Sequence, residues 1–419
     1  MATSLSWTSV WAASMQAAWP LGSPVAQPDL SRALSDPDHG LENQSLRMVV
    51  TPALWGRQLR LRLCNTFGDR PLHIRGAGIA LHLGGGAIES TTWRAARCAG
   101  QDAGVIAAGA SLWSDAITLD WLDDPSSVLL RGRTLAIDWH IDGASGPLSW
   151  HAKAMTTSYL SLPGVRAAGQ PGALDFPCST TSWFLVDALD MMLPADSAAI
   201  VAFGDSLTDG THTTLNSPDR WPDLLQRRLW QAGHANLAVL NAGIGSNQIA
   251  WPRALDGQTG WRGGVAGVER LERDVLSLSG VRTVIWLEGI NDFSDNGRRD
   301  LDLVLAALRE GVQRLRAAGL QVWGCTLPSA LHSWRPGHGS ALQDGLRRAF
   351  NAAIRTPGLF DHLLDFDAVT LDAVSGGLAA EVDQDSTTGS RGDGIHPGRG
   401  GQLGMAQTID LSALVATTR

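Results

Sequence analysis

The sequence predicts two domains: a β-sandwich-like one over residues 1–190, then a three-layer α/β/α domain with a parallel sheet over residues 195–419. Three observations predict this. Between Leu46 and about Val186, short stretches of apolar–polar alternation are punctuated by Gly, Pro and Asp clusters, and no long helical period interrupts them. From Ala198 onward, short apolar strands alternate with amphipathic helices, the pattern of a sheet covered on both faces. A chain of 419 residues also exceeds a single core, at a prior of about 150 residues per domain.

The front half is read strand by strand. Arg57–Asn65 places Leu59, Leu61 and Leu63 on one face and Arg60 and Arg62 on the other. Asn65–Pro71 reads as a turn. Ile74–Leu83, Ser111–Leu119, Thr134–Ile141 and Thr156–Leu162 are further strands, and several short strands with turn signals suit a sandwich. The first 45 residues are less regular and are expected to wrap one of the domains.

In the second half, Ala199–Phe203, Leu237–Asn241, Thr283–Leu287, Leu320–Thr326 and His362–Phe366 are the predicted strands. Between them come helices at Asp219–Ala232, with Asn216 or Ser217 as N-cap, and at Val268–Leu278, Asp300–Ala318 and Ala341–Arg355. Gly319 ends the third of these. Gly400–Ala413 reads as one closing helix.

Composition narrows the function. Charged residues make up 18% and hydrophobic residues 44%, so the chain is globular. A net charge of −8 argues against nucleic acid as a partner. No apolar run reaches the roughly 20 residues of a membrane span. Met1–Trp11 lacks a basic start before an apolar core, so no signal peptide is read. The chain as written is expected in the cytoplasm, or outside it if a signal was removed and replaced by a start Met. Cys64, Cys98, Cys178 and Cys325 form no CxxC and no zinc spacing; two disulfides and four buried thiols fit equally. Seventeen Trp stand beside one Tyr, and Trp251, Trp261 and Trp334 fall in loops, where an indole can stack on a sugar or acyl chain, although core and hinge packing is the favoured reading for any one of them.

The chemistry lies after the strands, because ligands of parallel sheets bind beyond the carboxyl ends of their strands. There the sequence offers Phe203-Gly204-Asp205-Ser206-Leu207-Thr208-Asp209-Gly210, then Asn241-Ala242-Gly243-Ile244-Gly245-Ser246-Asn247, then Glu288-Gly289-Ile290-Asn291-Asp292. Near the end comes Asp393-Gly394-Ile395-His396-Pro397. A serine hydroxyl is a weak nucleophile until a base takes its proton, and histidine titrates near neutrality. Ser206 is therefore the candidate nucleophile, His396 its base, and Asp393 the group that orients the imidazole. An attacked carbonyl becomes an oxyanion and needs fixed donors. The Asn291 amide and the backbone N–H groups of Ser206, Gly245 and Ser246 are the candidates.

Together the four blocks resemble the SGNH, or GDSL, superfamily of esterases and lipases, over about Ala198 to the end. The resemblance implies a serine carboxylester hydrolase with Ser206 as nucleophile, Asn291 in the oxyanion hole, and Asp393 and His396 completing a triad. One departure stands out. The family's second block ends in a glycine that gives its N–H to the oxyanion; here Ser246 holds that place and Gly245 precedes it, so either can supply the donor. Segments such as Trp7-Thr8-Ser9-Val10-Trp11-Ala12-Ala13-Ser14, Arg60-Leu61-Arg62-Leu63-Cys64-Asn65-Thr66-Phe67-Gly68-Asp69 and Ser114-Asp115 look like the β-rich leader of a bacterial, xylan-esterase-like branch of that superfamily.

Plainer roles exist for each residue: Ser206 could cap a helix, Asn291 and Asp292 could shape a turn, and Asp393 and His396 could lie in a solvent loop. Asp205 is read as loop support. Asp209, Asp292 and Asp295 are too scattered for a metal site, and neither metal nor cofactor is expected. His332 and His338 follow a strand end, so one of them could line a pocket; His151 is read as structural. The expected partner is a small-molecule or glycan ester. Acyl transfer by the same triad and non-catalytic glycan binding are the competing functions. Acyl length, alcohol and oligomeric state are not legible in the sequence.

Overall fold

The computed structural model describes residues 4–17, 34, 36, 38–252 and 263–418. Trp261 lies outside them. The chain divides into two compact units at Ser197/Ala198.

The first unit is β-rich and antiparallel. One five-stranded sheet runs Leu5–Ala12, Val186–Pro194, Gln58–Cys64, Ile117–Thr118, with Ser111–Trp113 also paired to Gln58–Cys64. An eight-stranded sheet is built around Ser45–Val50, Leu135–Ile141 and the long Leu72–Gly84 strand. A small third sheet joins Trp183–Phe184, Ser149–His151 and Gln16–Ala17.

Three expectations are corrected here. The described part of the amino-terminal segment does not merely wrap: Leu5–Ala12 is an edge strand on Val186–Pro194. Its alternation is hidden by a register shift between Ser9 and Trp11 and by buried polar residues, Ser9 donating to Asp190 Oδ1 at 2.6 Å. Ser111–Leu119 is two strands, because Ser114 turns its hydroxyl onto the Leu61 N–H at 3.0 Å and its own loop at Asp115. The polar face of Gln58–Cys64 is also less wet than alternation suggests. Arg60 and Arg62 pair with Asp190 and Asp187 of the next strand, and the Arg60 guanidinium sits 4.8 Å from the Trp7 ring centroid and 4.2 Å from that of Trp113. Cys64, Cys98, Cys178 and Cys325 are all free thiols.

The second unit holds a five-stranded parallel sheet. Its order is Leu237–Gly243, Ala198–Gly204, Val281–Leu287, Gln321–Cys325, His362–Leu364. The first strand is fully buried, as its continuous apolar run requires. It lies between the second and third strands of the unit, so the strand order reverses across it. Such a switch point opens a crevice at the carboxyl ends, which is where Ser206 follows the first strand and Asn291 the third.

The helices hold most of their predicted spans, with three differences. Trp221–Gln231 is capped at Arg220, whose N–H donates to Asp223, rather than at Asn216 or Ser217. The expected cap is lost because Asn216 takes a left-handed φ of 60° and the Asp219 carboxylate turns back to the Thr214 N–H. Val268–Leu278 is an α-helical turn, Gly267–Leu271, relaxing into a π-helical one, Glu272–Leu276. The closing helix is two, Arg399–Gln407 and Leu411–Thr418, because Asp410 accepts from the Ser412 and Ala413 N–H groups and starts the second.

Candidate active site

Ser206 is the first residue of a four-residue helix, Ser206–Asp209, directly after the buried first strand. Asp205 caps it, accepting from the Leu207 N–H at 2.9 Å, and so supports the loop as expected. Glycine is needed on both sides of this turn. A Cβ on Gly204 would stand 2.0 Å from the Leu287 carbonyl oxygen, and one on Gly243 2.4 Å from the Asp209 nitrogen.

The last loop brings Asp393 and His396 to the serine across 190 residues of sequence. Ser206 Oγ and His396 Nε2 are 2.8 Å apart, and His396 Nδ1 and Asp393 Oδ2 are 2.8 Å apart. All three residues are buried. Asp393 Oδ1 also accepts the Ile395 and His396 backbone N–H groups, each at 3.0 Å, which fixes the loop around the carboxylate. Burial alone would push the Asp393 carboxyl up. The adjacent His396, then His212 and the Arg335 hydrogen bond, outweigh it and hold the group far below the ordinary carboxylate range.

Among the candidate oxyanion donors, the Gly245 N–H donates to Asp209 Oδ2 at 3.0 Å. Ser246 is exposed with a left-handed φ of 66°, the backbone state that makes glycine usual there, and its N–H has no partner among the described residues. The Ser206 N–H likewise has none among the described residues. Asn291 donates one amide hydrogen to the Asn247 carbonyl at 3.0 Å, leaving the other for a ligand. Asp292 anchors the loop after Ser246 by accepting from Ile249 and Ala250.

Beneath the site lie buried acids. Desolvation pushes Asp205 well up, with Glu288 and Asp292 adding to it, and it pushes Asp292 up to about 8. Arg270, fully buried, donates to the Gly204 and Ala242 carbonyls and to Asn247 Oδ1, tying the first two strand ends to the Ser246–Asn247 turn.

Sequence reasoning missed three members of this arrangement, His212, Arg270 and Arg335, and weighed Asp209 only as a metal ligand. Arg335 Nε donates to Asp393 Oδ2 at 2.9 Å, and His212 Nε2 stands 3.7 Å from the same oxygen. His212, Asp393 and His396 offer ligand atoms within 4.8 Å of one another, the one such group among the described residues. Asp393 Oδ2 is already engaged by the His396 imidazole and the Arg335 guanidinium, and His396 Nε2 by the Ser206 hydroxyl. His338 lines a small cavity with Ile290, Phe293 and Leu331, whereas His332 turns to the Ser375 carbonyl.

A second Ser, His and Asp set occurs in the first unit and is not equivalent. Ser45 Oγ lies 3.0 Å from His140 Nδ1, but it also accepts from the Ala167 and Ala168 N–H groups and is wholly buried. Its hydroxyl is saturated, and no carbonyl can reach it.

A model of the GDSL-like lipase/acylhydrolase family matches residues 202–402, from within the first strand of the second unit to within the helix after His396. Residues 202–402 are a GDSL-like lipase/acylhydrolase domain. The GDSL-like domain makes this chain a carboxylic ester hydrolase. Among solved structures, an aryl esterase of M. smegmatis is 17% identical, with 52% of this chain and 97% of that one covered at a TM-score of 0.39. A carbohydrate acetylesterase from Sinorhizobium meliloti is 16% identical, covering 52% and 100% at 0.37. A GDSL-like lipase from Bacteroides thetaiotaomicron is 16% identical, covering 52% and 87% at 0.37. These likenesses are too distant to carry more than the family match does. Comparison with curated proteins found no match.

Proposed function

We propose that the GDSL-like domain is a serine carboxylester hydrolase that works through an acyl-enzyme on Ser206. The unbroken chain from Ser206 Oγ to His396 and Asp393, at 2.8 Å and 2.8 Å, carries the reading. With Asp393 accepting a hydrogen bond from Nδ1–H, Nε2 is left as the lone-pair nitrogen facing the hydroxyl. His396 takes the Ser206 proton as Oγ attacks the ester carbonyl, then gives it to the departing alkoxide. Water repeats the sequence on the acyl-enzyme and releases the acid. The oxyanion is received by the Ser206 and Ser246 N–H groups and the spare Asn291 amide hydrogen. Ser246 is preferred to Gly245 in this reading because the Gly245 N–H already donates to Asp209.

In this reading the parallel sheet is the middle layer of an α/β/α sandwich, and the first unit's antiparallel sheets form a β-sandwich. The substrate is an acyl ester, either an acetylated carbohydrate or a short- to medium-chain ester. The test is a panel of chromogenic acyl esters beside acetylated xylan, run with wild type and Ser206→Ala. Wild type should turn over at least one and take an organophosphonate label on Ser206, and the variant should do neither. Labelling at another serine with Ser206→Ala still active would overturn the assignment.

A further inference from the structure

Three consecutive residues of the loop between the Gln321–Cys325 strand and the Ala341–Ile354 helix grip the loop that carries Asp393. Ser333 Oγ donates to the Asp393 carbonyl at 2.6 Å, and Trp334 Nε1 to the Gly392 carbonyl at 2.9 Å. Arg335 Nε donates to the Asp393 carboxylate at 2.9 Å. The two loops touch so closely that a Cβ on Gly394 would come within 2.8 Å of the Ser333 Cα. Two of these bonds hold backbone. The third differs in kind: it lays a permanent cation on Oδ2, the oxygen that also serves His396 Nδ1.

We propose that Arg335 is a positioning residue that lowers the basicity of His396 by drawing off part of the Asp393 charge. The proposal rests on the reading of His396 as the base. An imidazolium is stabilised by the whole charge of its carboxylate partner; a guanidinium on the same oxygen cancels part of that field and repels the imidazolium besides. The base therefore stays neutral, and able to accept the Ser206 proton, at lower pH than an uncapped Asp–His couple would allow. Other charged or titratable groups face the couple. The serine loop presents His212, whose ring centroid is 5.5 Å from that of His396. The 331–340 loop presents His338 besides Arg335. The Asp393 loop itself presents Asp383, which accepts from the Gly394 N–H, and Arg391 beside it. Among these, Arg335 is the cation in direct hydrogen-bond contact with the Asp393 carboxylate.

The experiment is the pH dependence of kcat/KM for wild type, Arg335→Ala, Arg335→Gln and Arg335→Lys on one chromogenic ester. Because the Arg335 side chain is half exposed, solvent screens its charge, and the acid limb should move up by about half a pH unit in the Ala and Gln variants. Arg335→Lys should return the limb to its wild-type position. Arg335→Gln keeps a donor and its loop bonds while removing the charge, so a lower rate with an unmoved limb would reduce Arg335 to loop support and overturn the proposal. A downward shift would overturn it as well. If Ser206→Ala remained active, or wild type had no acid limb, the failure would belong to the assignment of the base instead.

Discussion

Asp209 holds the Gly245 N–H at 3.0 Å, and this single bond separates two neighbours that sequence alone leaves equivalent. The Gly245 N–H is engaged in the turn, and Ser246 adopts the left-handed backbone with an N–H that has no partner among the described residues. If only that N–H matters, Ser246→Gly should keep or slightly exceed wild-type turnover, since glycine adopts φ of 66° without strain. Ser246→Ala should also stay within a few-fold. A loss of about 100-fold in Ser246→Ala, measured as kcat on a short-chain ester, would assign the hydroxyl a direct role.

Asn291 keeps one amide hydrogen after bonding Asn247. Asn291→Ala should lower kcat by roughly 100- to 1000-fold with a smaller change in KM, the signature of a donor that acts in the transition state. Equal losses of binding and turnover on steady-state analysis would point to a collapsed Ser246–Asn247 turn instead.

The Asp393 carboxyl is held far below the usual range, so it stays ionised across the working pH and contributes no limb of its own. The rate should fall in acid through one ionisation, that of His396, and dialysis against EDTA should leave the profile unchanged. Asp393→Asn should lower kcat by about 1000- to 10,000-fold, because the amide favours the wrong imidazole tautomer. A rate abolished by EDTA and restored by zinc would remove the serine mechanism.

Asp292 works in the opposite direction. Its folded pKa is raised to about 8, chiefly by desolvation, against about 3.9 for a free carboxyl. The folded state then holds the proton more tightly than the unfolded one. Its contribution is fully present below about pH 4 and is lost as pH rises through about 8. Asp292→Asn cannot titrate, so part of the fall in thermal midpoint between pH 5 and pH 8 should disappear in the variant. Parallel midpoint curves for the two proteins would mean Asp292 is ionised throughout.

Much of this protein is determined by local sequence. The alternation of Leu59, Leu61 and Leu63, the apolar run at Ala199–Phe203 and the glycine after the Asp300–Ala318 stretch each act within a few residues, and each appears as an element close to its expected place. The blocks around Ser206, Asn291 and His396 are equally legible, because residues of definite chemistry follow strand-like runs. Other features arise only on folding. Nothing near Arg335 marks it, since its partner Asp393 is 58 residues away and joins it through two loops at one sheet edge. Asp209 looks like any acid in a Gly-rich loop until the first two strands pair in parallel and bring Gly245 to it. Leu5–Ala12 shows no clean alternation because its buried hydroxyl at Ser9 is satisfied by Asp190, a residue 181 positions away. Local propensity depends on neighbours in the chain, so it can be read there. Charge sharing, donor occupancy and the satisfaction of buried polar groups depend on neighbours in space, and those exist only once the sheets have formed.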